Sequence, residues 1–282
     1  MAPLICSSIV KVFSGTRLSP LSTVQLLAIT LSSLLLLTAC GARYHVAVPE
    51  GPVDTGWTER KLSPRELESL AQENQDLDKK KSLDILARLN TRDADYIQED
   101  ITKGKPLKVP NDFGYYITWT PMPKDIPEVS RLPKFILVVK NIPFVGWYEK
   151  GRLKSDTYIC IGKKGEWTKA GLYKVENKDG DHVSASYKNA YGDPALMPWA
   201  LRIYGHVWIH AGDIEKANCS HGCINLPISQ AQRLFEWADV GTTVLVVESL
   251  KDLSKAVKAI PNPKQQPTPK PSAKPQKSPP KT

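Results

Sequence analysis

Thirteen positions separate an imidazole, His210, from a thiol, Cys223, in the segment His210-Ala211-Gly212-Asp213-Ile214-Glu215-Lys216-Ala217-Asn218-Cys219-Ser220-His221-Gly222-Cys223-Ile224-Asn225. A cysteine attacks an acyl carbon as thiolate, and a free thiol with a pKa of about 8.5 is mostly protonated at neutral pH. A neighbouring histidine can take that proton, which makes His210 the candidate general base for a Cys223 nucleophile. Gly222, immediately before the thiol, lets backbone approach a reacting carbonyl without a Cβ in the way. The arrangement reads as a nucleophile elbow. His206, His210, Cys219, His221 and Cys223 are also zinc-ligand types, but none of them shows the Cys-x-x-Cys spacing of structural sites, so no metal and no other cofactor is expected.

These residues need a scaffold, and the surrounding sequence is punctuated into short β-runs. Phe135 to Val139 reads as a buried strand. Val145 to Tyr148 and Leu153 to Ile161 flank Glu149-Lys150-Gly151 as a hairpin, and Leu172 to Val175 and Thr243 to Val247 read as further strands. Ala200 to His210 reads as a single strand carrying the imidazole. Ile228 to Asp239 places Ala231, Leu234, Phe235 and Ala238 on one helical face and stops at Gly241. The fold class expected is mainly β with α: a sandwich or barrel with one packed helix over residues 131–249.

Before it, 61–130 reads as a small α-rich unit. Ser63-Pro64-Arg65-Glu66 is a capping box with Pro at the first helical position, and a second helix follows from about Ser82. Leu89-Asn90 and Leu107-Lys108-Val109-Pro110 faintly resemble half of a LysM peptidoglycan-binding module, against the alternative of a simple helical spacer. Residues 40–60 read as a tether. The segment 250–282, rich in Pro and Lys, reads as a tail without enough apolar content to fold.

The 282 residues are 41% hydrophobic and 24% charged, ordinary for a globular protein, with a formal charge of +9. Most of that charge lies at the ends. Lys11 and Arg17 precede Cys40, and Lys264, Lys270, Lys274, Lys277 and Lys281 lie in the tail, leaving +2 for the body. A nucleic-acid partner is not expected from so weak a footprint. The apolar run Leu21 to Leu37 ends in Leu37-Thr38-Ala39-Cys40-Gly41 and resembles a lipoprotein signal over residues 1–39, cut before a Cys40 that then carries lipid. A plain secretory signal or anchor is the alternative. Either exports the body, and lipidation implies a membrane-anchored, periplasm-facing protein of the cell envelope. In an oxidising compartment Cys160, Cys219 and Cys223 remain. One free thiol is then expected, Cys223, while Cys160 and Cys219 either pair or stay as buried thiols, the second being the default.

With that setting, Ile209-His210 and Ser220-His221-Gly222-Cys223-Ile224-Asn225 resemble the L,D-transpeptidase catalytic domain family. Its pattern is a His, a spacer, then Ser or Thr before His-Gly-Cys, a hydrophobic residue and often Asn. Gly162-Lys163-Lys164-Gly165, the turn from Thr168 to Gly171 and Met197-Pro198-Trp199 extend the likeness over about Leu89 to Val247. Two features depart from the pattern: a nine-residue spacer, Ala211 to Cys219, and Lys169 where relatives have Pro. The resemblance implies Cys223 as nucleophile, His210 as proton donor and acceptor with its second ring nitrogen held by a carbonyl near Ala211 or Gly212, and an oxyanion hole from the amides of His221, Gly222 and Cys223. Ser220 and His221 would shape the pocket or polarise the acyl group, and Asn225 would brace the loop. Trp199 and Trp208 are the aromatic residues to watch as substrate contacts. The implied activity is cysteine acyl transfer on peptidoglycan stem peptides through a thioester, forming 3-3 cross-links or attaching protein to the wall. The rivals are an L,D-carboxypeptidase and a non-catalytic wall-binding lipoprotein.

Overall fold

The computed structural model describes residues 56–73, 76–164, 167–189 and 191–261. The leader, Cys40, the tether up to residue 55 and the tail from 262 lie outside the described residues.

The first strand, β1 (Trp57–Lys61), begins inside the segment read as tether and ends one residue beyond it. It is followed by three helices, α1 (Pro64–Glu73), α2 (Lys79–Asn90) and α3 (Ala94–Thr102), and by β2 (Pro106–Pro110), which pairs antiparallel with β1. Ser63 Oγ accepts the Glu66 N–H at 3.1 Å as the cap signature requires, but the Glu66 carboxylate turns to Arg60 at 2.6 Å instead of closing the box. α2 starts before Ser82 because Asp78 caps it, accepting from the Lys81 N–H. Asn90 ties α2 to β2, its amide nitrogen donating to Lys108 O and its amide oxygen accepting from Lys108 N–H, each at 2.9 Å. A single turn, α4 (Phe113–Tyr116), leads into the β-rich part.

There β3 (Lys134–Val139), β4 (Phe144–Glu149) and β5 (Arg152–Tyr158) form a meander, followed by β6 (Ile161–Gly162), β7 (Gly171–Lys174), β8 (Asn177–Asp179), β9 (Val183–Lys188) and β10 (Pro194–Leu196). β11 (Ala200–Tyr204), β12 (Val207–Ala211), β13 (Asn218–Ser220) and β14 (Ile224–Leu226) carry the site, and α5 (Ile228–Trp237), β15 (Thr243–Val247) and α6 (Leu253–Lys258) complete the fold. The stretch read as one strand from Ala200 to His210 is therefore a hairpin, reversing at Gly205-His206, with β11 and β12 antiparallel.

Two sheets face each other. One has the strand order β5-β4-β3-β15-β7 and the other β14-β12-β11-β8. Ile136, Val138, Val145, Val244 and Val246 of the first meet Leu201, Ile203, Ile209, Ile224 and Leu226 of the second, with Ala231, Leu234 and Ala238 of α5 in the same core. The alternate residues Phe135, Leu137, Val139, Leu245 and Val247 point the other way, into a second core with Leu67, Leu86 and Ile97 of the N-terminal helices. This double burial explains why Phe135 to Val139 is apolar without alternation. The tail begins later than 250, since Val257 and Ile260 are buried in the second core.

Candidate active site

His210 is the fourth residue of β12, and β14 runs parallel beside it with His210 opposite Asn225. Neighbours along a strand alternate faces, so Ile209, Ala211, Ile224 and Leu226 enter the core while His210 and Asn225 share the opposite face. Cys223 lies immediately before β14, whose first residue is Ile224. The parallel pairing of β12 with β14 brings the strand of the imidazole beside the strand that follows the thiol.

His210 is 6% exposed, and its Nδ1 lies 2.8 Å from its acceptor, Ala211 O. That bond places the proton on Nδ1 and leaves the lone pair on Nε2, as a base requires. Burial pushes the imidazole down to about 4, against the pull of the Ala211 carbonyl, and nearby His182 lowers it further. Burial also pushes the Cys223 thiol above its ordinary value, with the Trp208 backbone acting in the opposite sense. Both groups are neutral at pH 7 in the resting protein. The sulfur donates to His206 O at 3.7 Å, and among the described residues no hydrogen bond joins it to His210. His206, expected on a strand, sits in the β11–β12 turn, where its carbonyl parks the thiol.

The spacer is held from three sides. Asp93 accepts from the Ile214 N–H at 2.7 Å and donates its own N–H to Ile214 O at 2.9 Å, and Arg92 reaches Glu215 O. Cys219 is bonded to Cys160, contrary to the default of two free thiols. These partners come from the α2–α3 corner and from the link between β5 and β6, far away in sequence, which is why spacing alone did not reveal them. Asn225 Nδ2 donates to Asp213 O at 3.2 Å, so this residue braces the loop. Gly212 leaves room for that amide and for the imidazole: a Cβ there would lie 2.8 Å from Asn225 Nδ2 and 3.3 Å from His210 Cε1.

The elbow departs from expectation in two respects. Ser220 Oγ accepts the Gly222 N–H at 3.1 Å and donates to Cys223 O at 2.6 Å, so Ser220 is spent inside the turn and does not face an acyl group. The same bond removes the Gly222 amide from the expected oxyanion donors. The N–H groups of His221 and Cys223 meet no acceptor among the described residues. Gly222 adopts φ +124°, which L side chains rarely tolerate, and a Cβ would meet Trp167 O at 3.1 Å.

Aromatic residues wall the site. The exposed His221 ring stacks between Tyr187 at 4.3 Å and Trp167 at 5.7 Å. Trp208 stacks on His182 at 4.0 Å, whose Nδ1 lies 3.0 Å from Asp179 Oδ2. Trp199 instead packs on Phe235 of α5. Sequence reasoning missed Tyr187 and His182, which reach the site from the β8–β9 region without any motif of their own. It also gave Thr168 no role: that side chain is fully buried and bonded to Gly162 N–H and Gly222 O, each at 2.9 Å. No group of three or more His, Cys, Asp or Glu side chains among the described residues is placed to hold a metal ion.

Residues 133–246 match the family model of the YkuD L,D-transpeptidase catalytic domain, a shorter span than the resemblance drawn from Leu89. Similar solved structures include the catalytic domain of an E. faecium L,D-transpeptidase acylated by ertapenem, 31% identical, covering 41% of this chain and 98% of that one with a TM-score of 0.34. An L,D-transpeptidase from Stackebrandtia nassauensis is 26% identical over 42% of this chain and 56% of its own, with a TM-score of 0.37. Mycobacterium tuberculosis L,D-transpeptidase 1 is 23% identical over 41% and 61%, with a TM-score of 0.35. The chain thus spans less than two thirds of the Stackebrandtia and Mycobacterium proteins. No curated protein matches the sequence. Through the segment 133–246 the chain belongs to the L,D-transpeptidase catalytic domain family.

Proposed function

We infer that the protein is a cysteine transpeptidase acting on peptidoglycan stem peptides, with Cys223 as nucleophile and His210 as proton carrier. What supports this reading is that Cys223, the free cysteine among the described residues, immediately precedes β14, which pairs with the strand of a buried His210 whose Nδ1 donates to Ala211 O, at a turn where the His221 and Cys223 amides meet no acceptor among the described residues. In the reaction the sulfur leaves His206 O and turns toward His210. A bond forms between Sγ and the carbonyl carbon of the third stem residue, and the thiol proton passes to Nε2 of His210. The amides of His221 and Cys223 stabilise the oxyanion. Collapse breaks the bond to the terminal D-alanine, whose amine takes the proton from His210, leaving a thioester on Cys223. An acceptor amine then attacks the thioester carbonyl and loses a proton to His210; the C–S bond breaks, and the sulfur takes that proton back as the thiol.

An amine on a second stem peptide makes this a 3-3 cross-linking enzyme; a lysine of a wall-bound protein makes it an attachment enzyme, and water a carboxypeptidase. The leader ending at Cys40 supports a lipid-anchored protein facing the periplasm, which a C40S variant lost from the membrane fraction would test. The central test is intact mass after exposure to a carbapenem and to a tetrapeptide stem. The wild type gains a carbapenem adduct and releases D-alanine, and C223A does neither. D-Alanine release by C223A at the wild-type rate would remove the thiol from the mechanism, and no release by the wild type would favour a wall-binding protein.

A further inference from the structure

The oxyanion donor Cys223 N–H belongs to a peptide unit whose other end is Gly222 O. A peptide bond is planar and the described chain has no cis bond, so the carbonyl and the amide point in opposite directions. Whatever fixes Gly222 O therefore aims Cys223 N–H. Among the described residues, the side chain that holds it is Thr168, whose hydroxyl donates to Gly222 O at 2.9 Å and accepts from Gly162 N–H at 2.9 Å. The hydroxyl is thereby locked in direction, since its proton must go to Gly222 once its lone pair is taken by Gly162. Thr168 is fully buried, so water does not compete for either bond. Gly222, at φ +124° and lacking a side chain, has a backbone that nothing of its own confines. The turn is clamped from the other side by Ser220, which fixes Gly222 N–H and Cys223 O. Between those two anchors, the Gly222–Cys223 peptide plane has one free rotation, and Thr168 removes it.

We propose that Thr168 is a positioning residue for acyl transfer, its buried hydroxyl orienting the Gly222–Cys223 peptide so that the Cys223 N–H meets the developing oxyanion. This rests on the cysteine acyl-transfer reading above. The residue touches neither substrate nor sulfur, so its loss should affect only steps in which a carbonyl oxygen gains charge. Carbapenem acylation of Cys223 is such a step. Alkylation of the same sulfur by iodoacetamide is not, because no oxyanion forms.

Two reactions measured on four proteins separate this role from packing. In wild type, T168S, T168V and T168A, the acylation rate constant for a carbapenem is read by intact mass, and the alkylation rate constant by labelled iodoacetamide. The hydroxyl argument groups T168S with wild type, and it slows T168V and T168A in acylation by on the order of 100-fold, approaching the loss of an oxyanion donor. Alkylation stays within about threefold throughout. Packing alone would instead group T168V with wild type, because Val keeps the shape, and that grouping overturns the proposal. Equal losses of acylation and alkylation in T168V and T168A would also overturn it, by showing that the hydroxyl holds the nucleophile instead of the amide. If T168V does not fold, T168S against T168A decides the same point: equal acylation refutes the role, and a slow T168A beside a fast T168S supports it. A wild type that takes no carbapenem refutes the acyl-transfer reading itself, and the role of Thr168 falls with it.

Discussion

Protonating His210 should destabilise the fold, and the size of the effect follows from its burial. The imidazole is 6% exposed, with its ordinary value of 6.5 lowered to about 4. Between those two pH values the unfolded chain binds a proton at His210 that the native state refuses. Stability therefore falls as pH drops from 6.5 toward 4, is unaffected by this group above 6.5, and changes no further below 4. At about 1.4 kcal/mol per tenfold change in proton affinity, the full loss is about 3 kcal/mol, a substantial part of a typical domain's stability. H210Q supplies the control, because an amide can still donate to Ala211 O but does not titrate. Urea unfolding of both proteins at pH 7, 6, 5 and 4 gives the difference directly. Asp84 and Asp93, whose carboxyls burial pushes up, stabilise the native state on acidification in both proteins and cancel. The stability of H210Q relative to wild type should rise by about 3 kcal/mol between pH 7 and pH 4. A difference that stays flat across this range would refute the claim that His210 is held neutral by burial.

Because burial raises Cys223 and lowers His210, alkylation of Cys223 by iodoacetamide should climb with pH through the alkaline range; a plateau between pH 5 and 7 would instead indicate a preformed thiolate–imidazolium pair. Reducing the Cys160–Cys219 disulfide, which closes a separation of 59 residues, should cost about 2–4 kcal/mol in urea unfolding, and non-reducing peptide mapping should find those two peptides joined and Cys223 free. G222A places a Cβ at φ +124° and 3.1 Å from Trp167 O, so about 1–3 kcal/mol of stability should be lost together with most acylation, measured by thermal melting and intact mass. N225A should loosen the loop at Asp213 and lower stability by about 1 kcal/mol, with a smaller effect on alkylation than on D-alanine release.

The sequence by itself determined which atoms can react and what kind of layers surround them. Cys223, His210 and Gly222 stand out as candidates because their chemistry lies in residue type, and Phe135 to Val139 was legible as a strand because a doubly buried strand has to be apolar throughout. The α5 face followed from helical periodicity, and Thr243 to Val247, like Phe135 to Val139, from an unbroken apolar run. What the sequence left open depended on partners distant along the chain. The turn at Gly205-His206, read as part of one strand, is set by pairing between β11 and β12. The Cys160–Cys219 bond, the grip of Asp93 on Ile214 and the reach of Thr168 to Gly222 O join residues 59, 121 and 54 positions apart. The fate of each amide and hydroxyl at the elbow is likewise a tertiary matter, because a hydrogen bond is awarded to whichever acceptor the fold brings closest. So the chain specified a thiol, an imidazole and a bare turn, whereas the folded sheets decided that Ser220 closes the turn, that Gly222 N–H is occupied, and that the sulfur rests on His206 O until something draws it away.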